Sequence, residues 1–236
     1  MSLRKEFVGE FTRLTPSEIK VNIIDLKGEK YHDIYNKIRK IVSHQFKQNI
    51  DNGIKGFILH GDVGTGKTTM AKALAKDISV PLFYIDGSDI ARGRYGHSEQ
   101  QIASIFDDAS KEKSIILIDD AESVFPTRDW QKGESWHIAQ NNVFFHKLDN
   151  VNSAKLVVII TTNRFDLLDK AIKDRLHSIE IPQPDIPTLI EIAKMRCLEL
   201  GIPTEEVIKV ISKKENKFNS VRDLEKLVIL KYIEGI

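Results

Sequence analysis

Several things are scarce in this sequence. It has one cysteine, Cys197, in 236 residues. That excludes an intrachain disulfide and any cysteine-rich zinc site. Neither sign of charge dominates: 35 Lys+Arg against 34 Asp+Glu leave a formal charge of +1. No overall basicity therefore argues for non-specific nucleic-acid binding. No apolar run approaches the length of a membrane span, and Leu156-Val157-Val158-Ile159-Ile160 has the length of a buried strand. The first twenty residues mix charges with single apolar side chains, so no signal-peptide core is read there. Internal repeats and low-complexity tracts are also missing. What is present is the balance of a globular chain, 41% hydrophobic and 29% charged. The expectation is a soluble cytoplasmic protein built as one α/β domain, or one domain with a small appendage, with Cys197 buried and inert in a helix.

Apolar periodicity organises the chain. Residues 31–47 carry Ile34, Ile38, Ile41 and Val42 at helical spacing, and Asn52-Gly53 ends that helix. Short continuous apolar runs then alternate with helical stretches. Strands are expected at 57–59, 82–85, 115–118, 155–161 and 179–181, and helices at 67–77, 98–110 and 137–148. Such alternation predicts a five-stranded parallel sheet covered by helices on both faces. After Pro182-Gln183-Pro184 the strands stop, and 188–200, 204–213 and 220–233 read as helices. The expected organisation is an N-terminal segment at 1–52, a core at 53–184 and a helical lid at 185–236.

Gly61-Asp62-Val63-Gly64-Thr65-Gly66-Lys67-Thr68 fits G-x-x-x-x-G-K-[ST] completely, and Thr69 continues it into the helix. The motif follows a strand and opens a helix, the context it requires. Glycines let backbone amides turn inward around phosphate oxygens, and the helix N-terminus adds its positive end. Lys67 is expected on the β- and γ-phosphates, and the Thr68 hydroxyl on Mg²⁺. A carboxylate at the end of a neighbouring strand completes such a site. Ile115-Ile116-Leu117-Ile118-Asp119-Asp120 supplies two, at the edge where α/β sheets bind ligands. Asp119 is the candidate Mg²⁺ partner. Asp120 is the candidate for polarising the attacking water, with Glu122 as the alternative.

Taken together, these residues resemble the AAA+ ATPases, the classical AAA branch in particular, over residues 53–181 and more weakly to the C-terminus. The Walker motifs alone are common to P-loop proteins. Gly87-Ser88-Asp89-Ile90, Gly96-His97-Ser98-Glu99 and Thr161-Thr162-Asn163-Arg164-Phe165-Asp166 carry the specific likeness. The resemblance implies a P-loop NTPase fold with a helical lid, ATP as substrate and Mg²⁺ as cofactor. It implies Asn163 as the sensor 1 residue and Arg175 as an arginine finger reaching the next subunit's nucleotide. A ring follows, usually a hexamer, because a finger supplied in trans needs a neighbour. Without that resemblance, Asn163 reads as a turn residue, and Arg175 as a surface ion-pair partner of Asp174 or Glu180. Asn219-Ser220-Val221-Arg222 resembles sensor 2 of other AAA+ branches, which places Arg222 on the γ-phosphate from the lid.

The chain also departs from the family pattern. Asp120 stands where glutamate is usual, so its carboxylate falls back by about 1.5 Å, the length of one C–C bond. Ser178 stands near the place of a second arginine. In the loop that threads polypeptide in some members, Arg94 takes the aromatic's place and Tyr95 is adjacent. Trp130 and Trp136 lie in an otherwise polar loop suited to partner contact, or folded back on the domain. The function expected is ATP hydrolysis driving remodelling of a protein substrate by a ring of identical subunits. A nucleotide-switched DNA-loading factor is the alternative: Asp119-Asp120 and Arg222 favour it, and the near-neutral charge opposes it.

Overall fold

The computed structural model describes residues 11–21, 26–91, 97–127, 135–213, 218 and 220–235, without the side chains of 91, 97, 98 and 135–140. Arg94, Tyr95 and Trp130 lie outside the described residues, as does the side chain of Trp136.

Among the described residues, six strands form one sheet in the order β1-β3-β4-β5-β2-β6. They are β1 Thr12–Leu14, β2 Gly56–His60, β3 Leu82–Asp86, β4 Ser114–Asp119, β5 Leu156–Thr162 and β6 His177–Glu180. The five expected strands run parallel. Four of them are apolar runs largely buried on both faces, while β6, His-Ser-Ile-Glu, is mostly exposed at the opposite edge. The sixth, β1, pairs antiparallel with β3 at the edge. Its three residues, Thr-Arg-Leu, are too few and too exposed to give a pattern.

The helices are α1 Glu29–Gln48, α2 Lys67–Asp77, α3 Gly87–Ala91, α4 His97–Ala109, α5 Ser135–Asp149, α6 Lys170–Arg175, α7 Ile186–Leu200, α8 Thr204–Ser212 and α9 Val221–Glu234. The short α3 and α6 were not expected, since neither is long enough to show a period. None of these helices is long and apolar enough to cross a membrane.

Alternation along β5 sorts its side chains to two cores. Val157 and Ile159 join Phe57, Leu74 and Tyr35 under α1 and α2. Val158 and Ile160 join Phe106, Phe144 and Leu148 under α4 and α5. Burying each of these side chains is worth about 1.5–3 kcal/mol. A third cluster belongs to α7, α8 and α9, with Leu189, Cys197, Val207 and Leu224 at its centre. Cys197 is buried there, as expected. The Asp185 side chain caps α7 by accepting the Thr188 N–H at 2.9 Å, and Ser220 caps α9 by accepting from Asp223 N at 3.2 Å.

The strand order, more than the strands themselves, builds the site. β5 lies between β4 and β2, which brings the ends of three strands distant in sequence to one edge of the sheet.

Candidate active site

The loop after β2 turns at two glycines with unusual demands. Gly61 has φ +142°, and a Cβ there would lie 2.3 Å from the Ile181 carbonyl oxygen. Gly64 has φ +78°, and a Cβ would meet Ser220 Cβ at 2.8 Å. Both contacts are closer than a side chain allows, so glycine lets this loop lie against β6 and against the start of α9. The Val221 amide donates to the Gly64 carbonyl at 3.1 Å, tying the lid helix to the loop.

Lys67 opens α2 and is buried. Its ammonium donates to the carbonyls of Gly61 at 2.9 Å and Asp62 at 2.7 Å. Burial pulls its pKa below the usual lysine value, against the opposing charges of Glu122, Asp119, Asp120 and Asp62. The α2 N-terminus has no side-chain cap, because Gly66 is the capping residue and no acid sits in the first turn. Those amides and their dipole favour an anion.

Across the loop, Thr68 Oγ1 donates to Asp119 Oδ1 at 2.7 Å. The Thr161 hydroxyl donates to the same oxygen, and Asp120 N donates to Thr161 Oγ1 at 3.3 Å. Asn163 Nδ2 donates to Asp120 Oδ1 at 3.2 Å, while Asn163 N donates to Glu122 Oε1 at 3.3 Å. Asp120 holds φ +51°, ψ +51°, a left-handed conformation in a non-glycine residue. Such a conformation costs about 1–3 kcal/mol and persists where the surroundings over-determine it. Burial pushes the Asp120 carboxyl above the usual range, and Asp119, Glu122 and Asp86 push the same way, with Lys67 opposing.

A cavity of about 340 Å³ joins these parts. Its walls take Val63 to Thr69, Asp119, Asp120, Thr161 and Asn163 from the core, and Met195, Arg196, Arg222 and Glu225 from the lid. Leu26, Lys27 and Tyr31 close it from the N-terminal side. The Tyr31 hydroxyl donates to the Pro182 carbonyl at 2.6 Å, so α1 is pinned to the segment between β6 and the lid.

Most of the expected site residues thus face one cavity. Gly61 and Asp62 are not in its wall; Asp62 accepts a hydrogen bond from Gln183 instead. Arg175 is also elsewhere. Its Nε and Nη2 donate to the two oxygens of Asp149, at 2.9 and 3.2 Å, and Nη1 donates to the Ala171 carbonyl at 3.1 Å. Its guanidinium lies 4.7 Å from the Phe145 ring centroid. The ion-pair partner is therefore Asp149 on α5 rather than Asp174 or Glu180, because the fold sets Arg175, at the end of α6, beside the last turns of α5. The sequence reading missed Thr161, although a hydroxyl two residues before Asn163 at the end of an apolar strand is a usable signal. It also missed the Leu26, Tyr31 and Arg196 walls, which carry no motif.

The oxygen donors fit a nucleotide with its Mg²⁺. Thr68 and Asp119 supply a hydroxyl and a carboxylate, the hard ligands this ion takes alongside substrate phosphates.

A mostly parallel sheet, a glycine loop opening α2 and strand-end carboxylates beside it together define a P-loop NTPase. The family model described as "ATPase family associated with various cellular activities (AAA)" matches residues 57–183, just over half of the chain. The chain belongs to that family, in its classical AAA branch. Protein CdcH of Halobacterium salinarum is 37% identical over 164 residues, 66% of this chain and 21% of that protein. The Cell division cycle protein 48 homolog of Archaeoglobus fulgidus is 33% identical over 181 residues, 73% of this chain and 24% of that protein. The Proteasome-activating nucleotidase of Methanosphaerula palustris is 28% identical over 214 residues, 81% of this chain and 51% of that protein. The chain spans between about a fifth and a half of the length of these relatives. Among solved structures, a chain of the E. coli MS115-1 HORMA:CdnC:Trip13 complex shares the fold. Its TM-score is 0.71 at 19% identity, covering 95% of this chain and 88% of that one.

Proposed function

We propose that the chain binds Mg²⁺ and ATP in this cavity, and that hydrolysis there drives remodelling of a protein substrate by a ring of identical subunits, a hexamer when ATP is bound. The observation carrying this reading is the convergence of Lys67, Thr68, Asp119, Asp120 and Asn163 on one edge of the sheet, under a lid that contributes Arg222. Residues 53–184 serve as the ATPase core and 185–236 as the lid, behind a 1–52 N-terminal segment. The names of the cell-division-cycle and proteasome-activating relatives support a protein substrate. The reading extends to the cytoplasm, where a lone thiol stays reduced.

The residues divide the work. Lys67 and the α2 amides hold the phosphates, and Thr68 and Asp119 hold Mg²⁺. When bound, Mg²⁺ neutralises charge developing on the β- and γ-phosphate oxygens. Asp120 accepts the proton of the attacking water. Asn163, bonded to Asp120, fixes where that water sits. Arg175 of one subunit stabilises charge on the γ-phosphate held by the next.

ATP turnover is expected to require Mg²⁺, to stop with a chelator, and to rise with an unfolded protein. Turnover stimulated by single-stranded DNA and indifferent to unfolded protein would favour the DNA-loading alternative, for which Asp120 and the cavity-lining Arg222 speak.

A further inference from the structure

We infer that Glu122 is a positioning residue for hydrolysis, acting on the nucleotide site through the main-chain amide of Asn163. The inference rests on the ATPase reading of the cavity.

The ladder between β4 and β5 ends at the pair Ile118 and Ile160. Beyond that pair, the bonds that stitch the two strand ends all involve side chains. Thr161 reaches Asp119, Asp120 N reaches Thr161, and Asn163 reaches both Asp120 and Glu122. Asn163 is therefore held at two points by one turn. Its side-chain amide donates to Asp120 Oδ1 at 3.2 Å and its backbone amide to Glu122 Oε1 at 3.3 Å. With the first contact alone, the residue after β5 can rotate about its backbone and carry its side chain off line. The second contact removes that freedom. Precise placement of a water-orienting group is what such chemistry needs.

Glu122 does not do this work by touching the reacting atoms. It is absent from the cavity wall, where Asp120 and Asn163 both appear. Its Oε2 is buried and has no hydrogen-bond partner among the described residues. An oxygen shut off from the cavity cannot take a proton from a water inside it, so Glu122 is a poor substitute for Asp120 as base. A buried carboxylate oxygen without a hydrogen bond is also destabilising. Stability by itself does not account for an acid here, whereas an acceptor placed for the Asn163 amide does.

The test compares Glu122→Gln with Glu122→Ala. Glutamine keeps an oxygen for the Asn163 N–H; alanine keeps nothing. In Glu122→Ala, kcat is expected to fall by roughly a hundredfold, the scale of an ångström of misplacement, with KM for ATP unchanged. In Glu122→Gln, most of that loss is restored. Amide hydrogen exchange at Asn163, followed by NMR, is expected to quicken in the alanine variant and stay near wild type in the glutamine variant. A glutamine variant as slow in turnover as the alanine one overturns the proposal, because charge or proton transfer then matters rather than the tether. Wild-type turnover and wild-type exchange in Glu122→Ala overturn it as well. Full turnover in Glu122→Ala beside a silent Lys67→Ala refutes this proposal alone. A wild-type protein without turnover refutes the ATPase reading and the proposal with it, while the exchange data still report whether the tether exists.

Discussion

Arg175 carries two roles whose energies differ enough to separate by measurement. Replacing it with alanine removes a two-pronged pair with Asp149 and a stack on Phe145. The two side chains are 35% and 50% exposed, so solvent screens the pair heavily. A pair so exposed contributes about 0.5–1 kcal/mol, and the ring contact a similar amount. The sum, about 1–2 kcal/mol, should lower the melting temperature by about 3–6 °C in a chain of this size. Loss of a trans-acting arginine is a much larger effect on rate, about 10³-fold, or about 4 kcal/mol of barrier. Asp149→Ala separates the two. It breaks the same pair and should cost only the pair's share of about 0.5–1 kcal/mol, yet it leaves the guanidinium free to reach a neighbour, so turnover stays within a few-fold of wild type. The assay is steady-state ATP hydrolysis across a range of protein concentrations, with melting curves on the same samples. In stability the double variant should cost less than the sum of the singles, as for any pair in contact. Mixing Arg175→Ala with Asp120→Asn subunits should restore part of the activity, since a mixed interface can hold both missing groups. If Asp149→Ala loses turnover as deeply as Arg175→Ala while melting no lower than that variant, Arg175 acts by local packing and the finger is refuted.

Lys67→Ala should abolish tight ATP binding by removing an ammonium at the loop, and calorimetry giving wild-type affinity would sink the phosphate assignment. Asp120→Asn should bind ATP yet stop turning it over, because an amide cannot accept the water's proton; persistent turnover would move the base elsewhere. Light scattering of that variant should show assembly with ATP and smaller species with ADP or neither, since the γ-phosphate supplies the charge partner for Arg175. A monomer in all three conditions at high concentration removes the ring. His60 stacks 4.1 Å from Phe165, and burial lowers its pKa below the ordinary 6.5, helped by Lys67 and Lys173 and opposed by Glu180. The unfolded chain therefore binds the proton more readily than the folded one. Stability contributed by neutral His60 is present above about pH 6.5 and is lost as pH falls through the lower folded value. Denaturant melts at pH 7.5 and 5.5 should show that loss in wild type and a smaller one in His60→Phe; equal losses would place the acid sensitivity elsewhere.

Local chemistry was enough to delimit several parts of this protein. The sequence predicts a helix over 67–77 and α2 spans Lys67–Asp77, because the motif fixes the start and the apolar period the rest. Four of the parallel strands are readable because burial on both faces demands continuous apolar runs, and the mostly exposed β6 shows only in its Ile179-Glu180-Ile181 alternation. The loop, Asp119 and Asp120 were readable because phosphate and magnesium chemistry permits few residue types at few spacings. Other features have no local signature. β1 depends on an edge of β3 that only the folded sheet presents, and α6 is shorter than two turns of helix. Arg175 meets Asp149 rather than its sequence neighbours because the tertiary fold, not spacing, sets that distance. Placing β5 between β4 and β2 brings Thr161 and Asn163 onto Asp119 and Asp120, from more than forty residues away. The cavity likewise closes with Leu26 and Tyr31 from one end of the chain and Arg222 from the other. Sequence alone determines which groups can do the chemistry, since each residue's chemistry is its own. Tertiary structure decides which of them meet, since hydrogen bonds and ion pairs act over a few ångströms and the chain order sets no such distances.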